Sequence, residues 1–269
     1  MRNCSHEKPA KKKTRQGQCA HNRSVAQEQV KVSILTQNKG LQALAGLWPS
    51  RWLTQDCLLC GGASDQDLLC PTCASSLPEL PKPGCPRCAL PTPMGETCGH
   101  CLAKPPHYDA ARATYRYDFP LDKLVQSFKY GHRLSLSKFL GKQLAALTQD
   151  QTADLIIPLP LHPKRLRERG FNQALELARP LSKALRIPID ATSCSRTRNT
   201  PAQANLAWRE REKNIRGAFH CSTDFSGKQL ILIDDVMTTG ASLNECARTL
   251  KLHGASSVTV LVLARALPK

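Results

Sequence analysis

The sequence predicts an α/β chain in two parts: a small metal-stapled module, then a parallel sheet flanked by helices. Three observations lead there. Eight cysteines fall into four regularly spaced CxxC pairs between Cys57 and Cys101. The C-terminal half alternates short apolar runs with helical patterns, the order expected of strand–helix–strand units. Its last apolar run, Ser257–Ala264 (SVTVLVLA), has no polar face and reads as a strand covered on both sides of a parallel sheet.

The 269 residues are enough for one α/β domain beside a small metal module. No apolar stretch approaches the roughly eighteen residues that span a bilayer. The expectation is a soluble, cytoplasmic protein with no membrane insertion. The formal net charge of +17 implies a polyanionic partner. Residues 1–40 hold nine Lys or Arg against two Glu, include Lys11, Lys12, Lys13 and Arg15, and show no sustained periodicity. They read as a disordered basic tail. The expected division is tail 1–40, metal module 41–104 and α/β domain 105–269, with Leu41–Trp52 a short apolar lead-in.

In the metal module, Cys57 and Cys60 precede Cys70 and Cys73, and Cys85 and Cys88 precede Cys98 and Cys101. Nine residues separate the pairs within each set. A CxxC knuckle turns two thiolates toward one metal, and two knuckles complete the tetrahedral Cys₄ site of structural zinc. Eight such cysteines call for two zinc ions. Pairing in sequence order is the first choice, and interleaved pairing satisfies the same spacing. A disulfide scaffold needs an oxidising compartment, and no apolar signal segment is visible. Pro78–Gly84 links the two halves, and Lys104–Tyr108 forms a hinge to the main domain.

Ala110–Tyr117 follows as a strand, then Leu121–Tyr130 and Ser137–Leu147 as helices. Leu155–Ile157 is a strand that runs into a Pro-punctuated loop carrying Lys164, Arg165, Arg167 and Arg169. Gly170 and Asn172 lead into a helix at Ala174–Leu185, with a kink expected at Pro180. Basic side chains clustered after a strand suit a diphosphate. The alternative makes Arg165 and Arg169 solvated helix residues one turn apart. Residues 155–220 hold thirteen basic and five acidic side chains, so the excess charge of the body is concentrated here. Within them, Arg196–Phe219 is polar and basic. It reads either as a mobile flap that closes over a diphosphate through Arg196, Arg198 and Arg209, or as an exposed helical hairpin.

The densest signal is Leu230–Ser242, LILIDDVMTTGAS. An apolar strand ends in Asp234 and Asp235. After Val236 comes a small turn, Thr238, Thr239, Gly240, Ala241 and Ser242, and then a helix through Leu243–His253 that Gly254 terminates. Backbone N–H groups, hydroxyls and a helix N-terminus suit a phosphate. The two acids suit ribose hydroxyls or hydrated Mg²⁺. A site with a phosphate end and a diol end points to a sugar phosphate, where a plain Ser- or Thr-capped turn needs no acid pair.

This string closely resembles the phosphoribosyl-pyrophosphate (PRPP) motif of type I phosphoribosyltransferases. The resemblance implies that Asp234 and Asp235 contact the ribose hydroxyls. It also implies that Val236, Thr238, Thr239, Gly240, Ala241 and Ser242 surround the 5′-phosphate. Arg165 and Arg169 join the PRPP site on their charge and position. The whole order resembles the ComF family, competence-associated phosphoribosyltransferase-like proteins that include GntX. That order is two zinc ribbons, FKYGHR at Phe128–Arg133, RGFNQ at Arg169–Gln173, the basic segment and the PRPP motif. The resemblance covers roughly residues 41–267. The family's R-x-R-x-T-x-x-Q pattern stands as Arg196, Arg198, Thr200 and Gln203, and Ser242 replaces a Thr common in relatives.

Two functions follow. The resemblance implies Mg–PRPP binding joined to natural transformation, with single-stranded DNA and a helicase-like competence protein as partners. The alternative is an active transferase that moves the phosphoribosyl group to a nucleobase or other nitrogen nucleophile, and a PRPP sensor without turnover is a third form. Strand binding would stack bases on aromatics. The chain is only 5% aromatic, with Trp208 and Phe171 the candidates near the basic segment. No general base and no base-recognition hood is recognisable.

Overall fold

The apolar runs of the C-terminal two-thirds assemble into one four-stranded parallel sheet. The computed structural model describes residues 55–64, 67–131, 133–148, 152–199 and 214–268. The tail, the Leu41–Trp52 lead-in, His132, Thr200, Gln203, Trp208 and Arg209 lie outside them. Residues Arg51–Lys269 form one compact unit, so the cysteine module and the α/β body pack together.

Element order is α1 (Pro71–Ser75), α2 (Gly99–Ala103), β1 (Ala110–Arg116), α3 (Leu121–Tyr130), α4 (Ser135–Ala145), β2 (Leu155–Pro158) and α5 (Pro163–Arg169). There follow α6 (Gln173–Leu185), β3 (Cys194–Arg196), β4 (Phe219–Cys221), β5 (Gln229–Met237), α7 (Ala241–Leu252) and β6 (Ser257–Arg265). The strand order is β1-β6-β5-β2, every pair parallel, with β5 and β6 central. Both are apolar nearly throughout because helices cover both faces: α4 and α6 pack on each other over one, and α7 lies against β5 and β6 over the other. The β3–β4 pair is a separate antiparallel ribbon packed on α7, and it carries the residue 197–218 segment at its open end.

Local sequence explains the element ends. The loop expected after β2 instead contains the helix α5. Pro163 sits in its first turn, His162 Nδ1 accepts the Lys164 N–H at 3.2 Å, and Gly170 at φ 76° stops it. A proline read as loop punctuation is also the residue best suited to open a helix. Helix α4 starts two residues before the expected Ser137. Pro180 lies inside α6 as expected, where it meets Gly141 of α4. A Cβ on Gly141 would stand 2.1 Å from Pro180 Cγ, so only glycine permits this helix approach.

Among the described residues no helix is long and apolar enough to cross a membrane.

Candidate functional site

Each cysteine set folds on itself. The four Sγ atoms of Cys57, Cys60, Cys70 and Cys73 lie within 4.8 Å of one another, as do those of Cys85, Cys88, Cys98 and Cys101. This is pairing in sequence order. Cys60 and Cys70 Sγ are 3.8 Å apart, and Cys88 and Cys98 Sγ 3.6 Å. A tetrahedron with Zn–S bonds of about 2.3 Å has edges of about 3.8 Å, so both clusters fit the ion. Desolvation opposes the thiolates of Cys57 and Cys85. Nearby backbone N–H groups outweigh it: those of Cys60 and Cys70 bring Cys57 down to about 6, and those of Cys98 and Cys88 bring Cys85 down to about 7. The two sites are built for structural zinc.

The second site lies at the C-terminal ends of the parallel strands, where open α/β sheets bind ligands. β5 presents Asp234 half-buried and Asp235 5% exposed, then turns at Thr238–Gly240 into α7. Gly240 takes φ 77°, and Thr239 Oγ1 accepts the Ala241 N–H at 3.2 Å. A side chain on Gly240 would meet only the flexible end of Met237, Cε at 2.6 Å, so it is the positive φ that favours glycine here. The first turn of α7, with Ala241 and Ser242, directs amides and the positive helix end out of the sheet edge. Val236 is half-buried between the acids and the turn.

A lysine completes the acid pair. Lys129, in the last turn of α3, places Nζ 3.0 Å from Asp235 Oδ2, with both side chains largely buried. Desolvation opposes its ammonium, but Asp235 and Asp234 outweigh that and hold it above the ordinary lysine range. Desolvation first, and the Asp235 charge second, push Asp234 up to about 7. One lysine therefore does not neutralise two adjacent carboxylates in this setting.

The arginines converge from two elements. In α5, Arg165 and Arg169 are half-buried while Lys164 and Arg167 are exposed, so the one-turn spacing turns the first two inward. Arg169 Nη1 donates to Gln173 Oε1 at 3.0 Å, and its guanidinium lies 5.6 Å from the Tyr130 ring centroid. Its charge is felt by Lys129 and Asp234. Arg196, at the end of β3, stands over the Phe219 ring at 5.7 Å and senses both Arg165 and Asp234. Arg198 is exposed and donates to the Arg216 carbonyl at 2.7 Å, tying together the two ends of the segment between β3 and β4. Phe171 is half-buried against Phe128, with centroids 5.7 Å apart.

Within FKYGHR no local pattern marks Lys129, and three further residues of the site carry no motif in the sequence. Glu245 in α7 is 7% exposed, accepts the Gly217 N–H at 2.7 Å and pairs with Arg248, so it holds the base of the β3–β4 segment on the turn's own helix. Arg265 and Tyr108 are buried beneath the turn. A cavity of about 760 Å³ opens there between the turn and the second cysteine cluster, bounded by Leu90, His100, Tyr108, Gly240, Asn244 and Leu267. A charge closing the apolar run SVTVLVLAR was the available signal for Arg265.

Residues 43–102 match the double zinc ribbon domain family, and residues 168–268 match the phosphoribosyl transferase domain family. The chain is 34% identical over 207 residues to DNA utilization protein YhgH of Escherichia coli (strain K12), covering 74% of this chain and 91% of that protein. It is 31% identical over 209 residues to Competence protein F of Haemophilus influenzae, covering 74% and 90%. It is 27% identical over 237 residues to Competence protein ComFC of Bacillus subtilis (strain 168), covering 78% and 94%.

Proposed function

Because the chain belongs to the ComF family, double-zinc-ribbon proteins with a phosphoribosyltransferase-type domain, we propose that it binds Mg–PRPP at the C-terminal edge of the sheet and serves DNA utilization in the cytoplasm. The observation that carries this reading is the convergence of an acid pair, a phosphate-type turn and three half-buried arginines on one sheet edge.

Each part has a role in it. Thr238, Thr239, Gly240, Ala241 and Ser242 take the 5′-phosphate, through backbone amides, hydroxyls and the helix end. Asp234 and Asp235 take the ribose hydroxyls, with Val236 backing the turn. Arg165 and Arg169 attract the diphosphate, and Arg196, Arg198, Thr200 and Gln203 belong to the flap that covers it. Mg²⁺ fits the donor set, because Asp234 and Asp235 are hard oxygen ligands only partly neutralised by Lys129. When bound it offsets the charge of the diphosphate. The proposed division is tail 1–40, ribbons 41–104 and domain 105–269, and the described residues of the ribbons share the compact unit Arg51–Lys269 with the domain.

The relatives' names carry the DNA role: one is named for DNA utilization and two for competence. Single-stranded DNA and a helicase-like competence protein are the partners in this reading, and the net charge of +17 suits a polyanion. A second reading, transfer of the phosphoribosyl group to a nitrogen nucleophile, draws on the tether from Glu245 to Gly217, which links flap position to the turn's helix. Catalysis would then consist of placing the nucleophile and stabilising the leaving pyrophosphate.

Calorimetric titration of PRPP into the zinc-loaded protein, with and without Mg²⁺, tests the proposal. Mg²⁺-dependent binding is expected. Heat indistinguishable from buffer dilution would remove PRPP from the reading and leave salt-dependent single-strand binding to carry the DNA role.

A further inference from the structure

Arg265 ends β6 and is 2% exposed. Its Nε donates to the Cys88 carbonyl at 2.9 Å. Its Nη1 donates to the carbonyls of Met237 and Ala266, each at 2.9 Å, and to that of Thr238. No carboxylate pairs with it among the described residues. A guanidinium taken out of water is tolerated only where its donors are satisfied. Here three acceptors come from the end of β5, the first residue of the phosphate turn and β6's own continuation. The fourth comes from the CxxC knuckle of the second cysteine cluster.

That knuckle carries two of the four clustered thiols, Cys85 and Cys88, with Ala89 after it at φ 58°; the Ala111 N–H of β1 donates to its Pro86 carbonyl at 3.1 Å, and Arg87 Nη1 donates to the Tyr108 carbonyl at 3.3 Å. The His107 N–H adds a second pin, donating to Asn244 Oδ1 of α7 at 2.7 Å. Tyr108, next in the chain, is buried below Gly240. The first cluster has a different neighbour, bordering Ser135, Phe139 and Lys142 of α4 across a separate cavity.

We propose that Arg265 is a positioning residue of the phosphate turn, and that the second Cys₄ site, acting through the Cys88 carbonyl, fixes the turn's shape for its ligand. The inference rests on the PRPP reading. Zinc at Cys85, Cys88, Cys98 and Cys101 holds the knuckle. The knuckle holds one edge of the Arg265 guanidinium, and the guanidinium holds the Met237 and Thr238 carbonyls from which the turn's amides project. The same connection makes the ribbon one wall of the cavity beside the turn. Lysine keeps the charge but presents a single compact donor head, which does not span carbonyls on opposite sides of a guanidinium.

The test uses the full chain, with PRPP and Mg²⁺ as probe, bound zinc measured by elemental analysis, and melting temperature recorded in parallel. Cys60→Ser and Cys98→Ser should each cost one zinc and lower the melting temperature. Only Cys98→Ser should also weaken PRPP, by tenfold or more, while Cys60→Ser stays within about twofold of the parent. Arg265→Lys should keep both zinc ions and still weaken PRPP at least tenfold. If Cys98→Ser does not fold, Arg265→Lys and a Co²⁺-loaded parent decide the matter. In the latter, PRPP should shift the thiolate–cobalt absorption, and the shift should be absent in Arg265→Lys. Parent-like PRPP affinity in Arg265→Lys, or equal weakening by Cys60→Ser and Cys98→Ser, would overturn the inference alone. Failure of the parent to bind PRPP would overturn the PRPP reading and this inference with it.

Discussion

Replacing Lys129 by Met should expose the energetics of the acid pair. The ammonium lies 3.0 Å from Asp235 Oδ2, with the lysine side chain 20% and the aspartate 7% exposed. A surface ion pair contributes about 0–1 kcal/mol. Breaking a buried one destabilises by about 3–5 kcal/mol, because a charge is left without its partner. Lys129 keeps some contact with water and the charge of Arg169 also reaches Asp234, so the lower end, about 3 kcal/mol at pH 8, is expected. Protonation caps the penalty. Neutralising a carboxyl of ordinary pKa about 3.9 takes roughly 5.6 kcal/mol at pH 8 but roughly 2.2 kcal/mol at pH 5.5, at about 1.36 kcal/mol per pH unit. The variant should therefore lose about 3 kcal/mol at pH 8 and no more than about 2 kcal/mol at pH 5.5. Urea unfolding of zinc-loaded parent and variant at both pH values, with unchanged m, measures this. In a thermal scan 3 kcal/mol corresponds to a drop of about 6–12 °C for a domain of this size. A loss below about 1 kcal/mol at pH 8, or the same loss at both pH values, would refute the picture of a buried pair guarding two acids.

Three other outcomes are expected. Asp235→Asn should weaken Mg–PRPP at least tenfold, about 1.4 kcal/mol, with a loss of stability no larger than that of Lys129→Met, since the charge of Asp234 still acts on the Lys129 ammonium and is relieved of a like neighbour; a collapse of the fold would make Asp235 structural. Asp234, at about 7 in the folded protein against about 3.9 unfolded, makes the folded state the better proton binder between those values. Its contribution to stability thus falls as pH rises from about 4 to 7. Binding of Mg–PRPP near pH 6.5 should then release a proton and tighten toward pH 8, and a binding enthalpy independent of buffer ionisation would contradict this. Gly141→Ala should destabilise by about 1–3 kcal/mol in urea, because its Cβ would lie 2.1 Å from Pro180 Cγ in a packed helix pair; an unchanged midpoint would mean that the helices separate freely.

Much of the architecture was legible in the sequence because it is locally encoded. CxxC spacing fixes which thiols can reach one metal, and both clusters close in sequence order. Helix α3 covers Leu121–Tyr130 as its periodicity predicts, and β1, β5 and β6 sit on the runs that predict them. The turn between β5 and α7 was legible because its glycine, hydroxyls and acids are consecutive. Helix α5 stood only as the alternative reading of Arg165 and Arg169, because Pro163 serves equally well in a loop and in a first helical turn.

What only the tertiary structure decided are encounters between residues distant in the chain. Lys129 meets Asp235 because α3 and β5 both end on the same edge of the sheet, a consequence of the order β1-β6-β5-β2 that no local pattern specifies. Arg165 and Arg169 are half-buried while Lys164 and Arg167 are exposed because α5 turns one face inward. Arg265 joins a ribbon carbonyl to the phosphate turn because burial strips its guanidinium of water and forces it to take whichever backbone acceptors the packed neighbours bring within reach. Spacing and periodicity record the hydrogen bonds a segment makes with itself, whereas the site depends on which segments the sheet sets side by side.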